Sequence, residues 1–101
     1  MWYQVDNGAT IGTKGSENGE IQIDEEHSAG ARLTLEKDGD IAPYAITSGI
    51  YGSFFHTTFL SNEEDAKIQL NLMKCEIIEY FETKTTYNEE CEWIKQFINR
   101  H

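Results

Sequence analysis

The sequence predicts an α+β domain: an antiparallel β-meander of four to five strands, covered on one face by a long amphipathic helix, with a short C-terminal second helix. All eight glycines of the 101 residues fall within the first 52, where they separate short segments of alternating apolar and polar character, as in hairpins. From residue 61 onward, apolar residues recur every three or four positions, which is the helical period. A chain of this length favours a single domain, residues 1–101, with one core.

Alternation of side chains defines the strand segments. In the second of them, Ile21 and Ile23 are expected on one side, and in the third, Leu33 and Leu35. Asp38-Gly39 tolerates the positive φ of a tight turn and should close the next hairpin. Pro43 lacks a backbone donor and places its strand at an edge or a bulge. The expected strands are residues 9–14, 19–25, 30–37, 41–47 and 50–60.

The last strand segment is the longest and the least regular in its alternation. A turn at Ser48-Gly49 is expected to precede it. If the strand begins after this turn, at residue 50, the core would receive Tyr51, Phe55 and Phe59. The opposite face would carry Phe54, His56 and Thr58.

The first helix is expected over residues 62–83. Ser61 and Glu64 have the spacing of a capping box, in which each side chain bonds the backbone of the other residue. An apolar stripe follows, made of Ala66, Leu70, Met73, Ile77 and Phe81. Ile68, Leu72 and Cys75 are expected to widen it.

A second helix is expected over residues 87–99, with Thr86 as its N-cap and Glu89 three positions later. It is too short to be stable alone in water and must pack on the rest of the fold or on another subunit. Its apolar side contains Cys91, Ile94, Phe97 and Ile98.

The formal net charge of −10 disfavours nucleic acid as a partner, because phosphate backbones are bound by clustered Lys and Arg. Residues 17–40 hold eight acidic residues against two basic ones. Such a segment can attract a basic protein, although acidity also simply maintains solubility. The candidate acidic binding face consists of Glu20, Asp24, Glu25, Glu26 and Glu36.

The sequence shows no evident targeting signal. No apolar run approaches the roughly 20 residues of a membrane helix, and the N-terminus lacks a signal-peptide pattern, so a cytoplasmic location is expected.

Cys75 and Cys91 lie among apolar residues, where a thiol usually packs as a small buried hydrophobe. A disulfide between them stays possible, and they form no zinc-type spacing.

Sequence patterns for catalysis or metal binding are weak. Asp24-Glu25-Glu26-His27 resembles a metal cluster, but neighbouring residues in a strand point to opposite faces. Residues 12–16 resemble the end of a phosphate loop only superficially, because a strand rather than a helix follows them. We therefore expect no catalytic residue, no metal and no cofactor.

One candidate ligand pocket centres on His56, which lies in an aromatic strand. A histidine there could be a general base, a haem ligand or a hydrogen-bonded core residue. The residues proposed for the pocket are His56, Phe54, Tyr44 and Tyr51.

The segments Ala31–Lys37 and Tyr44–Gly52, together with His56-Thr57 and the capped helix, resemble a group of small uncharacterised bacterial proteins. The resemblance extends over residues 11–82 at most. It implies a bacterial origin and an α+β domain, and it carries over no catalytic residue.

These observations favour a non-catalytic interaction or regulatory domain that self-associates, with a homodimer as the simplest form. Apolar residues outside the expected core often mark an interface; here they are Trp2, Tyr3, Phe54 and Trp93. Two alternatives stay open. One is an immunity-type binder of a basic toxin or other basic protein, and the other is a small-ligand or haem-binding domain.

Overall fold

A five-stranded antiparallel sheet and two helices form the predicted α+β fold. The computed structural model describes residues 1–83 and 86–101. The strands follow one another across the sheet in the order β1-β2-β3-β4-β5. The elements are β1 (Trp2–Gln4), a 3₁₀ turn (Val5–Gly8), β2 (Glu20–His27), β3 (Ala31–Lys37), β4 (Tyr44–Ile50), β5 (Phe54–Leu60), α1 (Glu63–Glu82) and α2 (Tyr87–Arg100).

The sheet has one face packed against the helices, the covered face, and one opposite to it, the open face. On the covered face Leu35 lies opposite Ile46, which lies opposite Thr58. The core residues from both layers pack together there, and they include Leu33, Ile46, Met73, Ile77 and Phe97. On the open face the corresponding row is Thr34, Thr47 and Thr57.

Helix α1 has the predicted buried stripe but a different cap. Asn62 is the N-cap, and its Oδ1 accepts a hydrogen bond from the Asp65 amide at 2.8 Å, so the predicted Ser61 cap was wrong by one residue. Ala66, Leu70, Met73 and Ile77 are buried as predicted. Each residue predicted to widen the stripe lies two positions after a buried one, about 200° around the helix. The solvent side therefore receives Ile68, Leu72 and Cys75.

Both cysteines are exposed free thiols. The sequence neighbourhood suggested burial, but apolar neighbours along a helix share a face only at the spacings three and four. Cys75 and Cys91 each fall on the solvent side of their helix, and the expectation of burial was wrong.

Helix α2 runs along β5 and completes the core. The predicted cap is confirmed, since the Glu89 amide donates to the Thr86 hydroxyl at 3.3 Å. Phe97 is fully buried, and its ring lies 5.5 Å from that of Phe54. Near the other end of β5, the Thr58 hydroxyl donates to the His101 carbonyl oxygen at 2.8 Å.

Residues 9–14 do not form the predicted strand. The Ala9, Ile11 and Thr13 amides each donate to the carbonyl oxygen three residues earlier, and Gly12 has a φ of +84°. This turn segment pairs only with the start of β2, at a bridge between Lys14 and Glu20 and through backbone hydrogen bonds with Ile21. The first strand is instead Trp2–Gln4, which pairs with Glu25–His27.

A β-bulge in β2 overturns another expectation. Ile21 lies opposite Glu36, whereas Ile23 lies opposite Leu35, and the register shifts between them. The extra residue reverses which side chains point to which face. Ile21 therefore belongs to the open face and Ile23 to the covered face.

The β4–β5 turn lies three residues later than predicted, at Tyr51–Ser53. The Ser53 amide donates to the Ile50 carbonyl at 3.0 Å, and Gly52 has the positive φ that the turn requires, +79°. Pro43 consequently lies in the loop before β4 and not within a strand. The faces of β5 are the reverse of those expected.

The new register places Phe54 on the covered face, against Phe97. Phe55 and Phe59 lie on the open face, and their exposed fractions are 60% and 41%. The predicted core position of these two phenylalanines was wrong.

No helix in the described ranges combines the length and the apolar character that a membrane crossing needs.

Replacement of Phe97 tests whether α2 is an integral part of the fold. Phe97→Ala should lower the free energy of unfolding by about 3–5 kcal/mol, because it empties a fully buried site. The adjacent Ile98 is 37% exposed, and Ile98→Ala should cost less than about 1.5 kcal/mol. Urea denaturation measures both. Equal losses would contradict the assigned orientation of α2.

Candidate functional site

The open face contains a depression of about 310 Å³. It lies between the turn segment that precedes β2 and the first residues of β5. Its lining combines two cationic side chains, three hydroxyl groups and two apolar side chains. The lining residues are Lys14, Gly15, Ser16, Ile21, Arg32, Thr34, Thr47 and Phe55.

Arg32 is held at this depression by a buried carboxylate. The Arg32 Nε donates to Asp24 Oδ1 at 2.9 Å, and Nη2 donates to Oδ2 at 2.6 Å. The Thr34 hydroxyl donates to Oδ1 at 3.0 Å. The Asp24 side chain is 0% exposed, whereas the Arg32 side chain is 37% exposed, so a buried carboxylate holds the guanidinium group of a partly exposed side chain.

The pKa of Asp24 lies below its ordinary value. Burial by itself would raise the pKa of this carboxyl group, but the hydrogen bonds from Arg32 and Thr34 and the positive charge of Arg32 lower it further than burial raises it. Asp24 is therefore ionised at neutral pH and keeps Arg32 in place.

A second buried carboxylate, Glu36, holds the loop at the opposite end of the depression. Glu36 is 1% exposed, and its Oε1 accepts from the amides of Gly19 and Glu17 at 3.1 and 3.2 Å. Gly15 packs so closely on this carboxylate that a Cβ atom there would lie 2.2 Å from the Glu36 Cδ. The glycine is required for this approach, and the approach fixes the loop.

The apolar wall of the depression is the ring of Phe55, which lies on the backbone of Gly49. These two residues are cross-strand neighbours, and a Cβ atom at Gly49 would lie 2.2 Å from the Phe55 Cδ1. A glycine in a strand often marks such a close approach. The ring is thereby directed across the open face.

The chemistry of this lining suits binding. None of the eight lining residues is a histidine or a cysteine, and none is a carboxylate. In the described ranges, no group of three or more His, Cys, Asp or Glu is placed to hold a metal ion. The depression presents cations, hydroxyl oxygens and an aromatic ring.

The residues predicted to form a pocket around His56 are split between different surroundings. His56 lies opposite Ser48 on the covered face, the face that also carries Phe54 and Tyr44. Tyr51 lies in the β4–β5 turn, and its hydroxyl donates to Glu26 at 2.8 Å. His56 Nε2 is buried and has no hydrogen-bond partner among the described residues. The structure brings three of the four residues to one face, and Tyr51 is not one of them.

Most of the predicted interface residues are partly buried and pack against the core. The Trp2 ring meets that of His27 at 5.2 Å, edge to face, and Phe54 and Trp93 lie 6.3 Å apart. Only Tyr3 of the predicted four is largely exposed, at 49%. The exposed aromatic residues of β5 were missed because the strand was assigned the opposite faces.

The residues of the predicted acidic face also lie in different surroundings. Asp24 and Glu36 are buried, so they cannot contact a partner from an exposed surface. Glu25 lies toward the helices and accepts from Lys74 Nζ at 2.5 Å. Two members lie nearer the surface, Glu20 and Glu26.

No protein-family model matches the chain. Comparison with curated proteins and with solved structures likewise found no match. The resemblance to small bacterial proteins therefore stays a prediction.

Substitution of Asp24 tests the ionic support of the depression. Asp24→Asn should destabilise the fold by about 1–3 kcal/mol at pH 7, because Arg32 and Thr34 lose an ionised acceptor. A carboxyl group with a lowered folded-state pKa contributes stability above its unfolded-state pKa and loses it as the pH falls through the folded-state pKa.

The difference in melting temperature between wild type and Asp24→Asn should therefore shrink as the pH is lowered from about 5 toward 2. Glu20→Gln, at an exposed position, is the control and should change little. A constant difference from pH 7 to pH 2 would show that the charge of Asp24 does not matter.

Proposed function

We propose that the protein is a non-catalytic interaction module that self-associates through the aromatic part of its open face. The observation that carries the proposal is the exposure of Phe55 and Phe59 on the same face of one strand, at 60% and 41%. Tyr51, 45% exposed, extends this patch, with its ring 6.1 Å from that of Phe55. Exposed apolar side chains grouped on one face in this way commonly mark a contact surface.

Charge favours this surface over the rest of the molecule for contact between two copies. The chain has a net charge of −10, so most orientations of two copies bring carboxylates together. Strand β5 has the sequence FFHTTFL and contains no Asp, Glu, Lys or Arg. A contact centred on β5 avoids the desolvation of unpaired carboxylates, which is costly.

The spacing of the two phenylalanines suits a two-fold symmetric contact. They are four residues apart in a strand, which separates them by about 13 Å. In an isologous dimer each surface meets its own copy, so Phe55 of one protomer can pack near Phe59 of the other. Aromatic pairs of this kind each contribute about 0.5–1.5 kcal/mol beyond the burial of their area.

The position of α2 leaves the open face of β5 accessible. Contacts between α2 and β5 occur at Phe54 and at Thr58, so the helix follows the strand on the covered side. A second copy can approach the open face without displacing this helix.

Sedimentation velocity over a range of concentrations tests the proposal with a matched pair of variants. The wild type should shift from monomer toward twice the monomer mass as its concentration rises. Phe59→Lys should stay monomeric, because it introduces a charge at the contact. Tyr87→Lys places the same charge at a residue that is 78% exposed on α2 and should self-associate like the wild type.

A wild type that stays monomeric at millimolar concentration would refute self-association. If Tyr87→Lys prevented self-association as strongly as Phe59→Lys, the contact would not lie on the open face.

A further inference from the structure

We infer that the depression on the open face is a binding site for a small aromatic anion, with an aromatic carboxylate as the best-fitting class. This site goes beyond the proposed self-association, with which it shares Phe55 alone.

Two cations define the polar end of the site. Lys14 is exposed and forms no ion pair within the described residues. Arg32 uses two of its five N–H groups on Asp24, and its side chain is 37% exposed. A guanidinium group held in one orientation binds a planar carboxylate with little further loss of conformational freedom.

The carboxylates around the depression accept hydrogen bonds from the protein itself. Of these, Asp24 and Glu36 are buried, and their oxygen atoms are hydrogen-bonded. Glu26 lies opposite Arg32 and accepts from the Tyr51 hydroxyl at 2.8 Å. Glu20 lies opposite Lys14 and accepts from Gln22 Nε2 at 3.0 Å. Charges farther away are screened over about 8 Å at physiological ionic strength. The lining of the depression itself contains Lys14 and Arg32 and no carboxylate.

Two of the three hydroxyl groups of the site are oriented by the same two buried carboxylates. Thr34 donates its proton to Asp24 at 3.0 Å, and Ser16 donates to Glu36 at 3.5 Å. Both hydroxyl oxygens consequently have lone pairs left for a ligand. A hydroxyl substituent beside the anionic group of the ligand would match this arrangement.

The apolar side of the site indicates a flat ligand body. Phe55 and Ile21 line the depression together with the polar groups, and the face of an aromatic ring packs well on another ring. A volume of about 310 Å³ lies at the lower end of the range of small-molecule sites. This size suits a ligand with a single ring.

The backbone amides of the loop indicate that side chains bind the anionic group of the ligand. Phosphate loops bind through free backbone amides, but here the Gly15 amide donates to the Gly19 carbonyl at 2.9 Å. The amides of Glu17 and Gly19 donate to Glu36. With these donors occupied, recognition depends on Lys14 and Arg32, and a planar carboxylate fits the guanidinium edge.

The test is an NMR titration of the ¹⁵N-labelled protein with 2-hydroxybenzoate. The Phe59→Lys variant serves as the background, so that the result does not depend on self-association. Amide shifts should change at Gly15, Ile21, Thr34 and Thr47 and saturate with one dissociation constant. Benzyl alcohol, which has a ring but no charge, should bind at least tenfold more weakly.

Lys14→Gln should raise the dissociation constant for 2-hydroxybenzoate about tenfold, because one charge-assisted hydrogen bond is lost. Lys95→Gln removes the same charge at an exposed position of α2 and should leave the dissociation constant unchanged. The same spectra show whether each variant is folded.

Phenyl phosphate distinguishes the two sources of an aromatic anion. Weaker binding than that of 2-hydroxybenzoate supports a carboxylate ligand, and tighter binding overturns that assignment in favour of a phosphate ester. The site itself is refuted if no localised shifts occur at 10 mM ligand, or if Lys95→Gln weakens binding as much as Lys14→Gln.

Discussion

The pairing of Ile50 with Phe54 across the Tyr51–Ser53 turn determines the role of every side chain in β5. Because side chains alternate along a strand, this register sends Phe54 to the covered face and Phe55 to the open face. Phe54 then packs on Phe97 and anchors α2. A shift of one residue would exchange the two faces, bury the wrong phenylalanine and remove the support of α2.

Two buried carboxylates organise the open face in a similar way. Asp24 fixes Arg32, and Glu36 fixes the loop that contains Gly15 and Ser16. Buried carboxylates are costly unless they are paired or fully hydrogen-bonded, and both of these are satisfied by neighbours on the sheet or the loop. The result is a surface with a defined shape between β2 and β5, although neither α1 nor α2 covers it.

The sequence predicted the parts of the fold that depend on a regular period. The stripe from Ala66 to Ile77 repeats at helical spacing, and the cap at Thr86 has a local sequence signature, so both were predicted. The faces of β5 could not be predicted. Aromatic residues occur at both odd and even positions of FFHTTFL, so alternation does not show which positions face the core. Ser48-Gly49 and Gly52-Ser53 are also equally plausible turns before the register is known.

The candidate site was less predictable than the fold. Its cross-strand neighbours, such as Asp24 opposite Thr34, depend on a register that a bulge has altered. A sequence also does not distinguish a buried, paired carboxylate from a solvated one, and Asp24 and Glu36 were therefore assigned to an acidic surface. One useful signal was present: Gly15 and Gly19 flank a polar loop beside Lys14, and glycines at such spacing permit close approach to another group.

The most direct test of the account is an isotope-filtered NOE experiment on a mixture of labelled and unlabelled protein, since it detects only contacts between separate copies. The account predicts intermolecular NOEs between the aromatic protons of Phe55 and Phe59. The apolar side chains Ile68 and Leu72, about half exposed on α1, offer a rival surface. Intermolecular NOEs to Ile68 and Leu72, with none to Phe55 or Phe59, would contradict the account.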